Sequence, residues 1–237
     1  MINNKKVLCI IPARGGSKGI LGKNIIEVNG KPLIGYTIES VKKSKYVDKI
    51  IVSTDDPKIA KVANDFGIII EKLRPIELAK DETKTIDVII YEINELLKLN
   101  EKFDYVVLLQ PTSPLRRTFH IDQALESIIE NNKDSLVSVT KLKNNPLLIR
   151  SINETGELES ILKANSTVRR QDFNTYYVVN GAIYINKIDQ SFGLNTSLND
   201  NVWPYIMEEK YDIDIDTIED IEEFKKKLNS LILNEID

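Results

Sequence analysis

The chain has 237 residues, 42% hydrophobic and 29% charged, which is typical of a globular protein with one large domain, with or without a smaller lobe. Its net charge of −4 argues against nucleic acid as a main partner, because no excess of basic residues is available for a phosphate backbone. No apolar stretch approaches the about 20 residues that a membrane-spanning helix needs, and no secretory signal pattern precedes the first apolar run. We therefore expect a cytoplasmic protein without a membrane partner.

Apolar, β-branched runs alternate with helical patterns along the first 140 residues. The predicted strands are residues 6–11, 49–53, 68–70, 105–109 and 135–140. Asp56 and Pro57 indicate the start of a helix that ends near Phe66. Apolar residues repeat with helical spacing from Ile86 and again from Ile121. This alternation predicts an α/β fold with a doubly wound, mostly parallel sheet, which binds ligands at the carboxyl ends of its strands.

The alternation stops between residues 141 and 179. This stretch contains two turn-forming sequences, at residues 144–146 and 154–156, and only short apolar runs. It indicates either a hairpin-rich insertion or an arm that packs on a partner subunit. The main domain resumes at Asn180 and ends in a helix after Thr217. We therefore predict a main domain of residues 1–140 and 180–237, with residues 141–179 as an inserted lobe.

The most informative motif follows the first predicted strand, at residues 11–24. Its four glycines allow a close approach to a ligand and backbone turns with positive φ. Arg14, Lys18 and Lys23 supply three cations, and no acidic residue precedes Glu27. A flexible cationic loop at the end of a strand suits a polyphosphate; a glycine-rich surface turn with solvated lysines is the simpler alternative.

This loop matches neither of the two common phosphate-binding motifs. A Walker A loop has a Ser or Thr after its lysine, whereas Asn24 follows Lys23. The dinucleotide fingerprint separates its first two glycines by one residue, whereas Gly15 and Gly16 are adjacent. A different kind of phosphate site is therefore expected.

Carboxylates cluster near the other end of the chain, where Asp212, Asp214 and Asp216 alternate with apolar residues. In an extended segment the three side chains point to one face, where they repel one another unless a cation lies among them. Mg²⁺, a hard ion that prefers oxygen ligands, is the natural occupant. An exposed strand face, or the acidic start of the last helix, is the alternative.

Two further segments have the composition of a binding site. The turn from Gln110 to Arg116 ends a predicted central strand, and its two prolines and several hydrogen-bonding side chains favour substrate binding over a purely structural role. Residues 74–85 form a loop too long for a simple connection, and such loops are often functional.

The lone cysteine and the lone histidine are not expected to act in chemistry. Cys9 lies within the first predicted strand, so we expect a buried structural thiol. His120 lies near a helix start and has no partner residues for a zinc site, so we expect it on the surface or as a helix cap.

Taken in order, these motifs resemble the acylneuraminate cytidylyltransferases, the bacterial CMP-sialic acid synthetases. The likeness covers nearly the whole chain and rests on residues 11–24, 74–81, 109–116, 170–171, 180–185 and 214–216. It implies a Rossmann-like α/β domain, with residues 141–179 as a dimerisation and sugar-binding lobe of a homodimer. It also implies the transfer of CMP from CTP to a nine-carbon 2-keto sugar acid, N-acetylneuraminate or legionaminate, with Mg²⁺ and with release of pyrophosphate.

The resemblance further implies roles for individual residues. Those expected to bind the nucleotide are Arg14, Gly15, Ser17, Lys18, Lys23, Asn24, Arg74, Thr83 and Thr85. Those expected to bind the sugar acid are Gln110, Arg170, Asn180, Gly181 and Tyr184. Arg14, Lys18, Asp214 and Asp216 are the expected catalytic residues, and the two aspartates are also the expected metal ligands.

Three alternatives stay open. The sugar acid could instead be 3-deoxy-manno-octulosonate or pseudaminate, although residues 180–185 favour the sialic and legionaminic branches over the pseudaminic one. A non-catalytic nucleotide-binding protein would be expected to lack a loop cation or a late aspartate, and this chain keeps them. A glycosyltransferase would be expected to place an Asp-x-Asp motif after a central strand rather than near the end of the chain.

Overall fold

A six-stranded sheet organises the computed structural model, which describes residues 1–162 and 174–234. The strands are β1 (Val7–Pro12), β2 (Glu27–Val28), β3 (Lys31–Pro32), β4 (Lys49–Ser53), β5 (Tyr105–Leu108), β6 (Ser135–Lys141), β7 (Arg150–Ile152), β8 (Leu158–Ser160), β9 (Tyr177–Lys187) and β10 (Trp203–Met207). The helices are α1 (Leu33–Lys42), α2 (Pro57–Asp65), α3 (Thr85–Lys98), α4 (Thr118–Glu130) and α5 (Ile218–Asn234). The main sheet has the order β10-β6-β9-β5-β1-β4, and only β9 runs antiparallel to its neighbours. The predicted mostly parallel α/β sheet is therefore confirmed.

Both faces of the sheet are buried, which explains the unbroken apolar runs of its strands. Successive side chains of β1 alternate between the two faces. Val7, Cys9 and Ile11 join the core formed with α1, α2, α4 and α5, whereas Leu8 and Ile10 pack with α3 on the other face. Cys9 is buried as expected, and burial raises the pKa of its thiol to about 12, so it stays protonated and unreactive.

The start of α2 follows the predicted capping pattern. The Asp56 carboxylate accepts a hydrogen bond from the Lys58 backbone N–H at 2.7 Å, and Pro57 is the first helical residue. The helix ends at Asp65, one residue before the predicted end.

The predicted strand at residues 68–70 is wrong. Gly67 adopts φ +79° after α2 and turns the chain back along the helix. The N–H groups of Ile68 and Ile70 then bond to the Ala63 carbonyl and to the Asn64 side chain instead of to a neighbouring strand. An apolar triplet alone does not show whether its backbone groups will meet a strand or a helix end.

A hairpin lies within the stretch that breaks the α/β alternation. Strands β7 and β8 pair antiparallel, and Gly156 adopts φ +84° in the turn between them. Strand β9 begins at Tyr177, three residues before the predicted restart, because Tyr177–Val179 pair with the end of β6. Arg170 lies outside the described residues.

None of the helices in the described ranges is both long and apolar enough to cross a membrane.

Candidate active site

A cavity of about 440 Å³ opens at the carboxyl ends of β1 and β5, where a parallel sheet is expected to bind its ligand. Four separate segments form its walls: the glycine-rich loop after β1, residues 74–85, the turn at Gln110 and the aspartate segment near the end of the chain. The predicted nucleotide, sugar-acid and metal residues that line it are Arg14, Ser17, Lys18, Lys23, Asn24, Arg74, Thr83, Thr85, Gln110, Asp214 and Asp216.

Local hydrogen bonds fix the start of the glycine-rich loop. The Ala13 N–H continues the β1–β4 pairing by donating to the Ser53 carbonyl at 2.9 Å, and the Gly15 N–H donates to Asp55 Oδ1 at 3.0 Å. Gly15 does not line the cavity. A Cβ atom at this position would lie 2.7 Å from the Asp56 carboxylate, so glycine allows the loop to pack closely there.

The buried Asn24 closes the other end of this loop. Its side-chain amide donates to the Arg14 carbonyl at 3.0 Å, which ties the two ends of the loop together. Asn24, which stands where a Walker A motif has Ser or Thr, therefore stabilises the loop as well as lining the cavity.

The glycine-rich loop contacts the aspartate segment directly. Lys23 Nζ donates to the Ile215 carbonyl at 2.8 Å and to Asp216 Oδ1 at 2.9 Å. A Cβ atom on Gly19 would lie 2.4 Å from the Asp216 carbonyl oxygen, a contact that only glycine permits. The loop cations and the late carboxylates, far apart in sequence, are thus parts of one site.

Asp81 is an acidic member of the cavity wall to which the sequence analysis gave no role. Its carboxylate lies 2.8 Å from Arg14 Nη2 and 2.9 Å from Lys18 Nζ. The hydrogen bond from Lys18, and to a lesser extent the one from Arg14, lowers the pKa of Asp81. Arg14 and Lys18, two of the cations that line the cavity, are therefore already paired within the protein.

Arg74 supplies a buried cation at the side of the cavity. Its guanidinium lies 3.6 Å from Asp55 Oδ1, and burial lowers its pKa. Its Nε is buried without a hydrogen-bond partner in the described parts of the chain. A buried donor of this kind is costly to leave unpaired.

The three late aspartates alternate as predicted, but only two of them line the cavity. Ile213 and Ile215 are buried between them, and the Ile215 N–H donates to the Thr112 carbonyl at 2.9 Å. Asp212 instead bonds to Thr140 outside the cavity. The prediction that all three carboxylates form one ion-binding face therefore needs correcting.

Asp214 has the electrostatic character expected of a ligand for a cation. Burial raises its pKa, Asp216 adds to this shift, and a hydrogen bond from Thr112 opposes it. Within residues 1–162 and 174–234, no group of three or more Asp, Glu, His and Cys side chains forms a complete metal site. Asp214 and Asp216 would thus have to share any metal ion with ligands from a substrate, as is usual for Mg²⁺.

A second cavity, of about 510 Å³, adjoins the first and shares Thr85 and Gln110 with it. Tyr184 and residues 194–199 complete its walls. The Tyr184 hydroxyl donates to Asn199 Oδ1 at 3.0 Å. Residues 194–199 were not among the predicted site residues; their sequence signal is a polar run between β9 and β10.

The structure brings some of the predicted sugar-binding residues together and separates one of them. Gly181 adopts φ +73°, and a Cβ atom there would lie 3.1 Å from Gln110 Oε1 and 3.9 Å from the Tyr184 hydroxyl. Asn180 lines neither cavity. Its side chain instead accepts from Ser138 Oγ at 2.6 Å and donates to Thr140 Oγ1 at 2.8 Å, so it stabilises the strands beside the site.

The fold has a counterpart among solved structures. A CMP:2-keto-3-deoxy-manno-octonic acid synthetase complexed with CTP superposes with a TM-score of 0.71, covering 97% of this chain and 99% of the other at 18% identity. At this identity the likeness shows the fold alone.

Curated relatives match at higher identity. An N-acylneuraminate cytidylyltransferase of Streptococcus agalactiae is 33% identical over 217 residues, which cover 91% of this chain and 51% of the relative. The chain thus spans about half the length of the Streptococcus agalactiae relatives that it matches.

Two other relatives match over most of both chains. A CMP-N,N'-diacetyllegionaminic acid synthase of Legionella pneumophila is 35% identical, covering 90% of this chain and 91% of the relative. A pseudaminic acid cytidylyltransferase of Campylobacter jejuni is 32% identical, covering 92% and 94%. The sequence model of one family, described as cytidylyltransferase, matches residues 8–236. The chain belongs to the cytidylyltransferase family.

Proposed function

We propose that the protein transfers CMP from CTP to the anomeric hydroxyl of a nine-carbon 2-keto sugar acid, N-acetylneuraminate or legionaminate, and releases pyrophosphate. One observation carries this proposal. The cations of the glycine-rich loop and the carboxylates of Asp214 and Asp216 line a single cavity at the carboxyl end of the sheet. The names of the relatives support a sugar acid as the acceptor.

The nucleotide occupies the cavity beside the glycine-rich loop. Arg14, Lys18 and Lys23 hold the triphosphate, because several cations in one cavity can neutralise its charge. Arg74 and the nearby hydroxyl groups of Thr83 and Thr85 contact the base and ribose. Ser17 and Asn24 complete this nucleotide-binding set, and Gly15 contributes by allowing the loop to pack closely against Asp56.

The sugar acid occupies the adjoining cavity. Gln110 and Tyr184 line it, Gly181 lies against both of them, and a site next to the nucleotide places the acceptor beside the phosphates. Asn180 contributes to this site through the strands that it joins. Arg170 is the proposed partner of the sugar's carboxylate.

The reaction needs positioning and charge neutralisation but no covalent intermediate. The anomeric hydroxyl loses its proton to solvent water and its oxygen forms a bond to the α-phosphorus, while the bond from that phosphorus to the bridging oxygen breaks and its electron pair leaves with the pyrophosphate. The loop cations neutralise the charge that develops on the departing pyrophosphate. Alignment of the two substrates in adjoining cavities supplies the favourable geometry.

Mg²⁺ is part of the proposal, with Asp214 and Asp216 as its protein ligands. Two carboxylates on one cavity wall fit an ion that usually completes its shell with water and phosphate oxygens, and Asp216 would exchange its ion pair with Lys23 for the metal. When bound, Mg²⁺ would neutralise phosphate charge and ease loss of the sugar's hydroxyl proton.

A homodimer formed through residues 141–179 is also proposed. Ile152 and Leu158 of the hairpin are both 71% exposed, and Tyr177 and Val178 nearby are also exposed. A second copy of the chain would cover this apolar surface. We place the enzyme in the cytoplasm, where CTP is available.

Pyrophosphate release tests the proposed function. The protein is supplied with CTP, Mg²⁺ and, in separate reactions, N-acetylneuraminate, legionaminate, pseudaminate or 3-deoxy-manno-octulosonate, and ATP replaces CTP as a control. We expect release with CTP and one of the first two acids. Release only with one of the last two would correct the acceptor, and no release with any acid would favour a non-catalytic nucleotide-binding protein.

A further inference from the structure

The two cations at the front of the glycine-rich loop share one carboxylate. Asp81 Oδ1 lies 2.8 Å from Arg14 Nη2, and Asp81 Oδ2 lies 2.9 Å from Lys18 Nζ. Each oxygen thus serves one cation, as two oxygens of a phosphate group would. All three residues line the cavity proposed for the nucleotide.

A phosphate group and the Asp81 carboxylate cannot both contact these cations closely. Both are anions, and at contact distance they would repel each other in a cavity that is partly shielded from water. A triphosphate that binds Arg14 and Lys18 therefore has to displace Asp81.

The segment that carries Asp81 is anchored at its ends and exposed in its middle. Arg74 is buried at one end, and its N–H donates to the Thr54 carbonyl at 2.7 Å. Thr85 begins α3 at the other end, where the Lys84 N–H donates to Asp87 Oδ2 at 3.0 Å. Asp81 and Glu82 are exposed between these anchors, so Asp81 can move away without displacing Arg74 or α3.

We propose that Asp81 is an internal competitor of the substrate's phosphates. It holds Arg14 and Lys18 in the empty site, releases them to the triphosphate and takes them back as pyrophosphate leaves. This inference rests on the proposed function, in which these cations bind the triphosphate. An intramolecular competitor lowers the affinity for every ligand that needs these two cations. It leaves unchanged the affinity for a ligand that does not need them, such as the nucleoside cytidine.

The proposal is tested by measuring the affinity of the full chain for CTP, pyrophosphate and cytidine by calorimetry. Asp81→Asn removes the competing charge, and Glu82→Gln removes the same charge one residue away, where Glu82 makes no ion pair with any described residue. Removing the competition from two exposed ion pairs corresponds to a gain of about 2- to 30-fold in the affinity for a phosphate ligand. We expect Asp81→Asn to bind CTP and pyrophosphate tighter by this factor and cytidine unchanged, with Glu82→Gln like the wild type.

Three results would overturn the proposal. Weaker binding of CTP and pyrophosphate by Asp81→Asn would mean that the carboxylate positions the cations instead of competing. An equal gain in Glu82→Gln would mean a general charge effect, and an equal gain for cytidine would mean a change of cavity shape. A wild type that bound pyrophosphate but not CTP would contradict the proposed function and leave the Asp81 comparison intact.

Discussion

Lys23 Nζ lies 2.9 Å from Asp216 Oδ1 and 2.8 Å from the Ile215 carbonyl oxygen, although 193 residues separate Lys23 from Asp216 in the chain. Only 14% of the Lys23 side chain is exposed, whereas 73% of the Lys18 side chain is. The two loop lysines therefore differ in what they do for the fold. Lys23 links the glycine-rich loop to the aspartate segment, whereas Lys18 forms an exposed ion pair with Asp81.

Replacing Lys23 should lower the stability of the fold more than replacing Lys18, although both replacements should weaken ligand binding. Lys23→Met leaves the Ile215 carbonyl and the Asp216 carboxylate without their donor, so we expect a loss of about 1–3 kcal/mol in the free energy of unfolding. Lys18→Met breaks one exposed ion pair and should cost less than about 1 kcal/mol. Both variants should release pyrophosphate more slowly. Urea unfolding and the pyrophosphate assay check this, and equal stability losses would contradict it.

Gly19→Ala should perturb the same junction through the backbone. The added Cβ would lie 2.4 Å from the Asp216 carbonyl oxygen, so the loop or the aspartate segment must move. We expect a loss of about 1–3 kcal/mol in stability together with reduced pyrophosphate release.

Gly16→Ala is the matched control for this substitution. A Cβ at Gly16 meets nothing within 4 Å, so its effect should stay within about 0.5 kcal/mol. If both variants matched the wild type, the contact between Gly19 and Asp216 would have no part in holding the site.

The sequence predicts the parts of this site that depend on residue types within one short segment. Glycines and cations in one loop predict a phosphate site, and alternating aspartates predict clustered carboxylates. The loop cations, Asp214 and Asp216 do line one cavity, whereas Asp212 does not. The pairing of Asp81 with Arg14 and Lys18 could not be predicted, because it depends on where a long loop folds over the cavity. The prediction of a strand at residues 68–70 was wrong for a related reason. After the turn at Gly67, backbone N–H groups of this segment form hydrogen bonds with residues of α2.

Arg116 is a buried cation that holds the turn at Gln110. Its guanidinium donates to the Gln110 carbonyl at 3.2 Å, the Ala182 carbonyl at 2.7 Å and Thr37 Oγ1 at 2.8 Å. Burial lowers its pKa to about 10, so it remains charged at neutral pH. It therefore ties α1 and β9 to the turn that separates the two cavities.

Arg116→Met weighs the cost of burying this charge against its hydrogen bonds. Met fills the space but leaves the Ala182 carbonyl and Thr37 Oγ1 without the guanidinium, whereas the Gln110 carbonyl keeps a hydrogen bond from the Ser113 N–H at 3.3 Å. We expect this loss to exceed the gain from removing the charge by about 2–4 kcal/mol. Thr37→Val, which removes one of the three acceptors, should cost about 1 kcal/mol. Urea unfolding measures both. An Arg116→Met variant as stable as the wild type would show that desolvation of the charge cancels its hydrogen bonds.

His120 is the chain's one histidine and provides a test of burial by pH. Its Nδ1 accepts a hydrogen bond from the Arg117 N–H at 3.0 Å, so the expected capping role is confirmed, but the side chain is 2% exposed and the expected surface position is wrong. Burial, and then the charges of Arg116, Arg117 and Lys210, lower the pKa of His120 to about 3. The imidazole is therefore neutral in the folded protein at neutral and mildly acidic pH.

This shift makes the folded protein lose stability as the pH falls. Between an unfolded-state pKa near 6.5 and the folded value of about 3, the unfolded chain binds a proton at His120 that the folded chain does not. The stabilisation is complete above pH 6.5 and declines below it, by up to about 1.4 kcal/mol per pH unit. His120→Asn keeps a cap acceptor without a titrating group, so the difference between wild type and variant in urea unfolding at pH 7 and pH 5 isolates this contribution. The imidazole resonance of the wild type should stay constant from pH 8 to pH 5 by NMR; a titration midpoint near 6.5 would show that His120 is accessible to solvent.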